Sequence, residues 1–302
     1  MLYRSLIFVP GNNKRFVDKA KALQADIICF DLEDSVPSNE KDVARKIIAE
    51  ALTWRIQYKS SFYLRINSLD SDLWLLDLKE LIRNGIDGVV VPKVNDQVQI
   101  KTIDSQLAEI EDTNKMLRKS VKLVPSIESA RGVVNAYSIA ISSQRVSAIM
   151  FGVFDFLYDM GLDYIENDDA MEKYMYARAK VPVDARAAGV ESIDGIWQKV
   201  DDTEGLIRDA IIAKRLGYSG KSLIHPAQID PVHKVFVPTQ SQVNWATKVV
   251  EALQEAMEKG QGLGAIKLEG KMIDAVHYKQ AKAILDYVEF TRSKKDNAAD
   301  SL

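Results

Sequence analysis

Short apolar runs rich in β-branched residues alternate along this chain with longer segments whose apolar residues recur at helical spacing. That alternation is the pattern of parallel βαβ units. Eight runs read as strands: residues 5–9, 26–31, 61–66, 88–92, 121–127, 148–152, 190–193 and 219–224. The seventh is the weakest of them. Amphipathic segments such as 14–23, 40–52, 73–84 and 203–216 lie between. Asn84-Gly85, Ala188-Gly189 and Leu216-Gly217 read as helix C-caps that feed the next strand. Eight such units within the first 238 residues predict an α/β fold, a (β/α)8 TIM barrel, over an open doubly wound sheet. After Pro238 the alternation stops. A helix over 242–259, the run Gly260-Gln-Gly-Leu-Gly264 and a helix over 274–291 follow, with 292–302 as a frayed polar tail. The glycine run follows a helix rather than a strand, so it reads as a hinge and not as a dinucleotide loop. The expected organisation is a barrel catalytic domain over 1–238 and a C-terminal helical lid and oligomerisation segment over 239–302.

Composition narrows the classes of function. The 40 basic and 43 acidic side chains nearly cancel and form no long block, which removes support for binding nucleic acid or an anionic membrane surface. Cys29, the single cysteine, lies in an apolar strand pattern, so neither a disulfide framework nor a reactive thiol is expected. The apolar stretch at the N-terminus is too short for a signal core or a membrane span. A cytoplasmic protein is the expectation.

In a barrel the chemistry gathers just beyond the carboxyl ends of the strands. The polar residues there are Asp31, Glu33 and Asp34 after the second strand, Arg65 and Asn67 at the third, Lys93, Glu128 and Asp155 after the fourth to sixth, and His225 after the eighth. Carboxylates converging on one mouth repel unless a cation sits among them, and oxygen ligands alone favour a hard ion such as Mg2+. Glu128 and Asp155, one step beyond neighbouring strong strands, are the chosen metal ligands. Each alone also reads as a helix cap or a loop acid. Arg65, flanked by apolar residues, suits two-point binding of a planar carboxylate, or else a buried ion pair with Glu33 or Asp34. The segment from Asp31 to Asp34 then surrounds Arg65 and the metal. His225 reads as a packed, hydrogen-bonded histidine before a base, and no zinc motif, triad or P-loop is present.

Seven ordered motifs carry a family likeness: Arg4-Ser-Leu-Ile-Phe-Val-Pro-Gly11, Asp31-Leu-Glu-Asp-Ser-Val36, Leu64-Arg-Ile-Asn67, Val91-Pro-Lys93, Ser126-Ile-Glu-Ser129, Phe151-Gly-Val-Phe-Asp-Phe156 and Gly220-Lys-Ser-Leu-Ile-His-Pro-Ala-Gln228. Over nearly its whole length the chain resembles the citrate lyase β-subunit-like group of the HpcH/HpaI aldolase superfamily. The resemblance implies a TIM-barrel lyase that uses Mg2+ to cleave 3-hydroxyacyl-CoA esters such as citramalyl-CoA, malyl-CoA or citryl thioesters into a CoA thioester and a 2-keto acid. It implies Glu128 and Asp155 as metal ligands and Arg65 as the carboxylate anchor, with Glu33 and Asp34 beside it. It also implies Asp274, in Gly270-Lys-Met-Ile-Asp274, as a proton carrier delivered by the lid to a neighbouring subunit, and hence a homo-oligomer, a trimer or hexamer. The family's proline two residues past that acid is replaced here by Val276. Asn13, Lys14, Arg15 and Lys19 in the first βα loop are expected to meet the CoA diphosphate and adenosine, or else form a solvated helix face. Thioester hydrolysis or net synthesis at the same site, and a place as β subunit in a citrate lyase complex, stay open as alternatives.

Overall fold

In a computed structural model, residues 3–162, 173–258 and 264–299 are described, the last eight of them by backbone alone. Two compact units divide the chain, Met1–Phe236 and Val237–Leu302.

The first unit is the barrel. Strands β1 (Ser5–Pro10), β2 (Ile27–Asp31), β3 (Ser61–Arg65), β4 (Gly88–Val91), β5 (Lys122–Ile127), β6 (Ala148–Phe151), β7 (Glu191–Asp194) and β8 (Gly220–Leu223) pair in sequence order and close, β1 on β8, all parallel. All eight strands stand where the pattern of the sequence predicts them, the weak seventh included. Their helices are α1 (Lys14–Ala20), α2 (Lys41–Leu52), α3 (Leu73–Leu81), α4 (Gln97–Thr113), α5 (Ala130–Ala140), α6 (Val153–Asp159), α7 (Met175–Ala188), α8 (Thr203–Leu216) and α9 (Ile229–Phe236). Local chemistry starts and stops them. Asp96 and Gln99 form a reciprocal capping box at the head of α4, and Gly189 and Gly217 take the left-handed conformation that ends α7 and α8.

Parallel strands are buried on both faces, so two apolar layers result. Leu6, Ile27, Cys29, Tyr63, Val90, Val124, Ala148 and Met150 fill the lumen. Ile7, Ile28, Phe62, Leu64, Val89 and Leu123 face the helices in the larger outer layer. Buried ion pairs pin helices to one another, to loops and to strands within that layer. Arg145 is held by Glu111 at 2.7 Å, and Arg45 meets Asp77 at 2.8 Å. Arg178 and Lys221 share Asp194 and Asp209 at 2.5–2.8 Å.

The second unit holds α10 (Gln240–Glu258), the antiparallel hairpin of β9 (Ile266–Leu268) and β10 (Lys271–Ile273), and α11 (Ala275–Ala299). Its own core comprises Ala246, Val249, Leu253, Ile273 and Ala281. Two features depart from the sequence reading. The hairpin is unanticipated, because three-residue strands carry too few positions to show a period. Helix α11 runs on through Ala299, so residues 292–299 of the expected tail are helical rather than frayed, and 300–302 lie outside the described residues. Of the expected glycine hinge, 260–263 lie outside the described residues. No helix among the described residues is long and apolar enough to cross a membrane.

Candidate active site

Strand register sets the site. Pairing of β2 with β3 puts Asp31 directly beside Arg65, and both side chains line a cavity of about 260 Å³ at the carboxyl end of the lumen. Phe8, Ser126, Glu128, Gly152, Asp155 and Ser222 line it too.

Arg65 donates from Nε and Nη2 to the two carboxylate oxygens of Asp31, each at 2.6 Å, and its guanidinium lies over the Phe8 ring at 4.5 Å. Its Nη1 stands 3.4 Å from Glu33. Asp31, rather than Glu33 or Asp34, is therefore its main partner. Burial opposes the charge of Asp31, but Arg65, the Ser35 hydroxyl and the Glu33 N–H outweigh it and hold the carboxyl below its ordinary value. Burial likewise works against the charge on Arg65, and Asp31 and Glu33 more than restore it. Two-point pairing through one edge leaves N–H groups on Nη1 and Nη2 for a second planar anion.

Glu128 is almost fully buried and makes no ion pair among the described residues. Desolvation first, then the nearby charges of Asp155 and Glu33, push its carboxyl up to about 7. The Ser126 hydroxyl pulls the other way without reaching hydrogen-bond geometry. Its side chain fits only because Gly152 faces it: a Cβ at 152 would lie 2.5 Å from Glu128 Cγ. Asp155, in the first turn of α6, is also raised, by burial and by Asp34, against the pull of Lys93.

These features test the fit of a hard divalent cation. A buried carboxylate without an ion pair among the described residues lines the same cavity as a second one, whose nearest cation is Lys93 at 3.9 Å, and both present oxygen only. No third His, Cys, Asp or Glu joins a ligating group among the described residues, so a bound ion would take its remaining ligands from water and substrate oxygens. Glu128 and Asp155 fit Mg2+.

Lys93 was legible as a strand-end residue without a role. It adopts φ +54°, costly for a residue with a Cβ by about 1–2 kcal/mol. Its ammonium spans Glu33 at 2.5 Å, Asp34 at 3.2 Å and Asp155 at 3.9 Å. Lys93 thus ties the acids after β2 to the acid of α6. Glu33 and Asp34 stand off the cavity wall, Glu33 buried behind Arg65 and Asp34 exposed. Gly152 is the residue whose role the sequence did not reveal, since a glycine ending an apolar run has many uses.

In the first βα loop, Asn13 caps α1 by accepting from the Phe16 N–H, and Lys14 pairs with Glu50 at 2.6 Å. Arg15 and Lys19 are exposed and unpaired among the described residues. His225 accepts from the Ala227 N–H through Nδ1 but is exposed, contrary to the packed position expected of it, because the turn beginning at Pro226 carries it off the barrel wall. In the second unit Asp274 caps α11 and pairs with His277 at 2.8 Å.

The model of the HpcH/HpaI aldolase/citrate lyase family matches residues 4–226. The citrate lyase subunit beta of Haemophilus influenzae is 36% identical over 94% of this chain and 96% of its own. The L-malyl-CoA/beta-methylmalyl-CoA lyase of Rhodobacter capsulatus is 31% identical over 96% of each. The crystal structure of protein CitE from Mycobacterium tuberculosis in complex with magnesium, acetoacetate and coenzyme A superposes with a TM-score of 0.74 at 25% identity, covering 94% of this chain and 97% of that one.

Proposed function

Because the chain belongs to the HpcH/HpaI aldolase/citrate lyase family, we propose that it is a Mg2+-dependent carbon–carbon lyase that cleaves a 3-hydroxyacyl-CoA ester into a CoA thioester and a 2-keto acid. The observation that carries this reading is the buried Glu128 carboxylate, without an ion pair among the described residues, in one cavity with Asp155 and Arg65. CoA-ester lyases among the relatives and magnesium in the CitE complex support it.

Glu128 and Asp155 hold the ion, which when bound supplies Lewis-acid polarisation of substrate oxygens. Arg65, fixed by Asp31 and stacked on Phe8, receives the carboxylate that leaves with the keto acid on its outer N–H edge. Glu33 and Lys93 keep that edge and Asp155 in register. Asp274 delivers a proton to the α-carbon of the thioester enolate and takes it back in the condensation direction. It does so from the C-terminal segment 239–302, acting as a lid over the site of a neighbouring subunit, so the working form is a cytoplasmic homo-oligomer, a trimer or a hexamer built from it. Arg15 and Lys19, together with Asn13 and Lys14, take the CoA diphosphate.

The test is a Mg2+-dependent cleavage assay across malyl-, citramalyl- and citryl-CoA, with glyoxylate, pyruvate and oxaloacetate measured separately from free CoA. Release of keto acid with thioester intact is expected. Free CoA without keto acid would replace the lyase by a thioesterase, and no turnover of any ester would overturn the reading.

A further inference from the structure

We propose that His277 is a positioning residue for the proton transfer at Asp274, the two forming a dyad in which His277 loads one carboxylate oxygen and turns the other toward the substrate carbon. The inference rests on the reading of Asp274 as the proton carrier.

Three contacts converge on Asp274 Oδ1: the Val276 N–H at 2.9 Å, the His277 N–H at 3.3 Å and His277 Nδ1 at 2.8 Å. Among the described residues nothing engages Oδ2. An N-cap needs only the first two of these, which satisfy the N–H groups that open α11. The imidazole Nδ1 is a third group at that oxygen, beyond the two N–H donors that capping requires. A capping box places Glu or Gln at this position, and an ionised Glu reaches back to the cap N–H without being able to donate to the cap carboxylate. A histidine ring nitrogen does either, according to its tautomer.

The Asp274 N–H also lies 3.2 Å from Nδ1. One nitrogen thus has two alternative partners. Without a proton Nδ1 accepts from the Asp274 N–H; with one, it donates to Oδ1. In cleavage the Oδ2–H bond breaks and a C–H bond forms at the enolate carbon, leaving the carboxylate that the Nδ1–H then stabilises. In condensation the α-carbon loses its proton to Oδ2, and the bonding pair stays with the carbon as the enolate.

Two cations of the same unit are engaged elsewhere. Lys271 of β10 lies over the Trp245 ring of α10 at 4.9 Å, and Lys248 of α10 pairs with Glu269 at 2.5 Å. The hydrogen bonds from His277 hold the Asp274 carboxyl below its ordinary value, so loss of the ring raises it.

The test uses the full-length oligomer and whichever of malyl-, citramalyl- or citryl-CoA is cleaved, with exchange of the α-protons of acetyl-CoA in D2O as a second readout. D274N tests the underlying reading and is expected to abolish both. H277A should lower kcat and exchange by roughly 10- to 100-fold at unchanged KM, and move the acid limb of condensation to higher pH. H277N, which keeps a donor for Oδ1, should recover most of the lost rate. If D274N stays active, the proton carrier and the dyad fall together. With D274N dead, H277A of normal rate and pH profile overturns the dyad alone, as does H277N no faster than H277A. A change confined to melting temperature would reduce His277 to part of a cap and equally overturn it.

Discussion

Replacing Gly152 by alanine adds one methyl group at the point where β6 hands over to α6, and it should disable the site without unfolding the barrel. The backbone there, φ −103° and ψ 94°, is open to any residue, so no conformational penalty attaches to the change itself. The new Cβ would lie 2.5 Å from Cγ, 3.1 Å from Cδ and 3.2 Å from Oε1 of Glu128. Carbon atoms pack at about 3.5–4.0 Å, so the Glu128 side chain must retreat by roughly 1 Å. Overpacking of this kind costs about 1–3 kcal/mol of stability. A misplacement of about 1 Å in a site group costs on the order of 100-fold in rate. Isothermal titration with Mg2+, the cleavage assay and a thermal melt read the three consequences: weaker metal binding, lower kcat and a modest fall in Tm. The double change E128A/G152A removes the atoms in conflict, so its melting temperature should return to that of E128A. Normal Mg2+ affinity and turnover in G152A would refute the packing argument, and equal destabilisation by Gly152→Ala with and without Glu128 would refute its cause.

Glu128 in the metal-free protein keeps its proton up to about pH 7, while the unfolded chain loses it near the ordinary carboxylate value. The metal-free fold should therefore lose on the order of 3 kcal/mol between about pH 4.5 and 7. E128Q should abolish that slope along with the proton released on Mg2+ binding, as melts and calorimetry in two buffers would show; a slope unchanged in the variant counts against it. Arg65→Lys keeps the charge but loses the two-point contact, and should weaken glyoxylate or pyruvate binding about 10-fold or more in condensation. An unchanged KM for both acids would exclude it as the anchor. Lys221→Met leaves Asp194 and Asp209 to Arg178 alone and should cost about 3–5 kcal/mol in urea unfolding, with Mg2+ affinity kept.

The sequence by itself determined the eight strands, their parallel order and the set of side chains at their carboxyl ends, because periodicity and strand-end position are local properties that survive without coordinates. It also marked Glu128 and Asp155 as a pair, since both follow strong strands on neighbouring units. What lies outside a local pattern waited for the fold. Register alone sets Asp31, not Glu33 or Asp34, against the Nε–Nη2 edge of Arg65, and a shift of one residue would have chosen another partner. The hairpin turns through Glu269 and Gly270, both at positive φ, and its two strands of three residues are too short to announce themselves. Burial of Glu128, the need for glycine at 152 and the lysine at positive φ that bridges three acids all depend on atoms more than twenty residues apart in sequence, or on the other side of a strand. Periodicity reports which face a residue shows; only packing decides which charge it meets there, and at what distance.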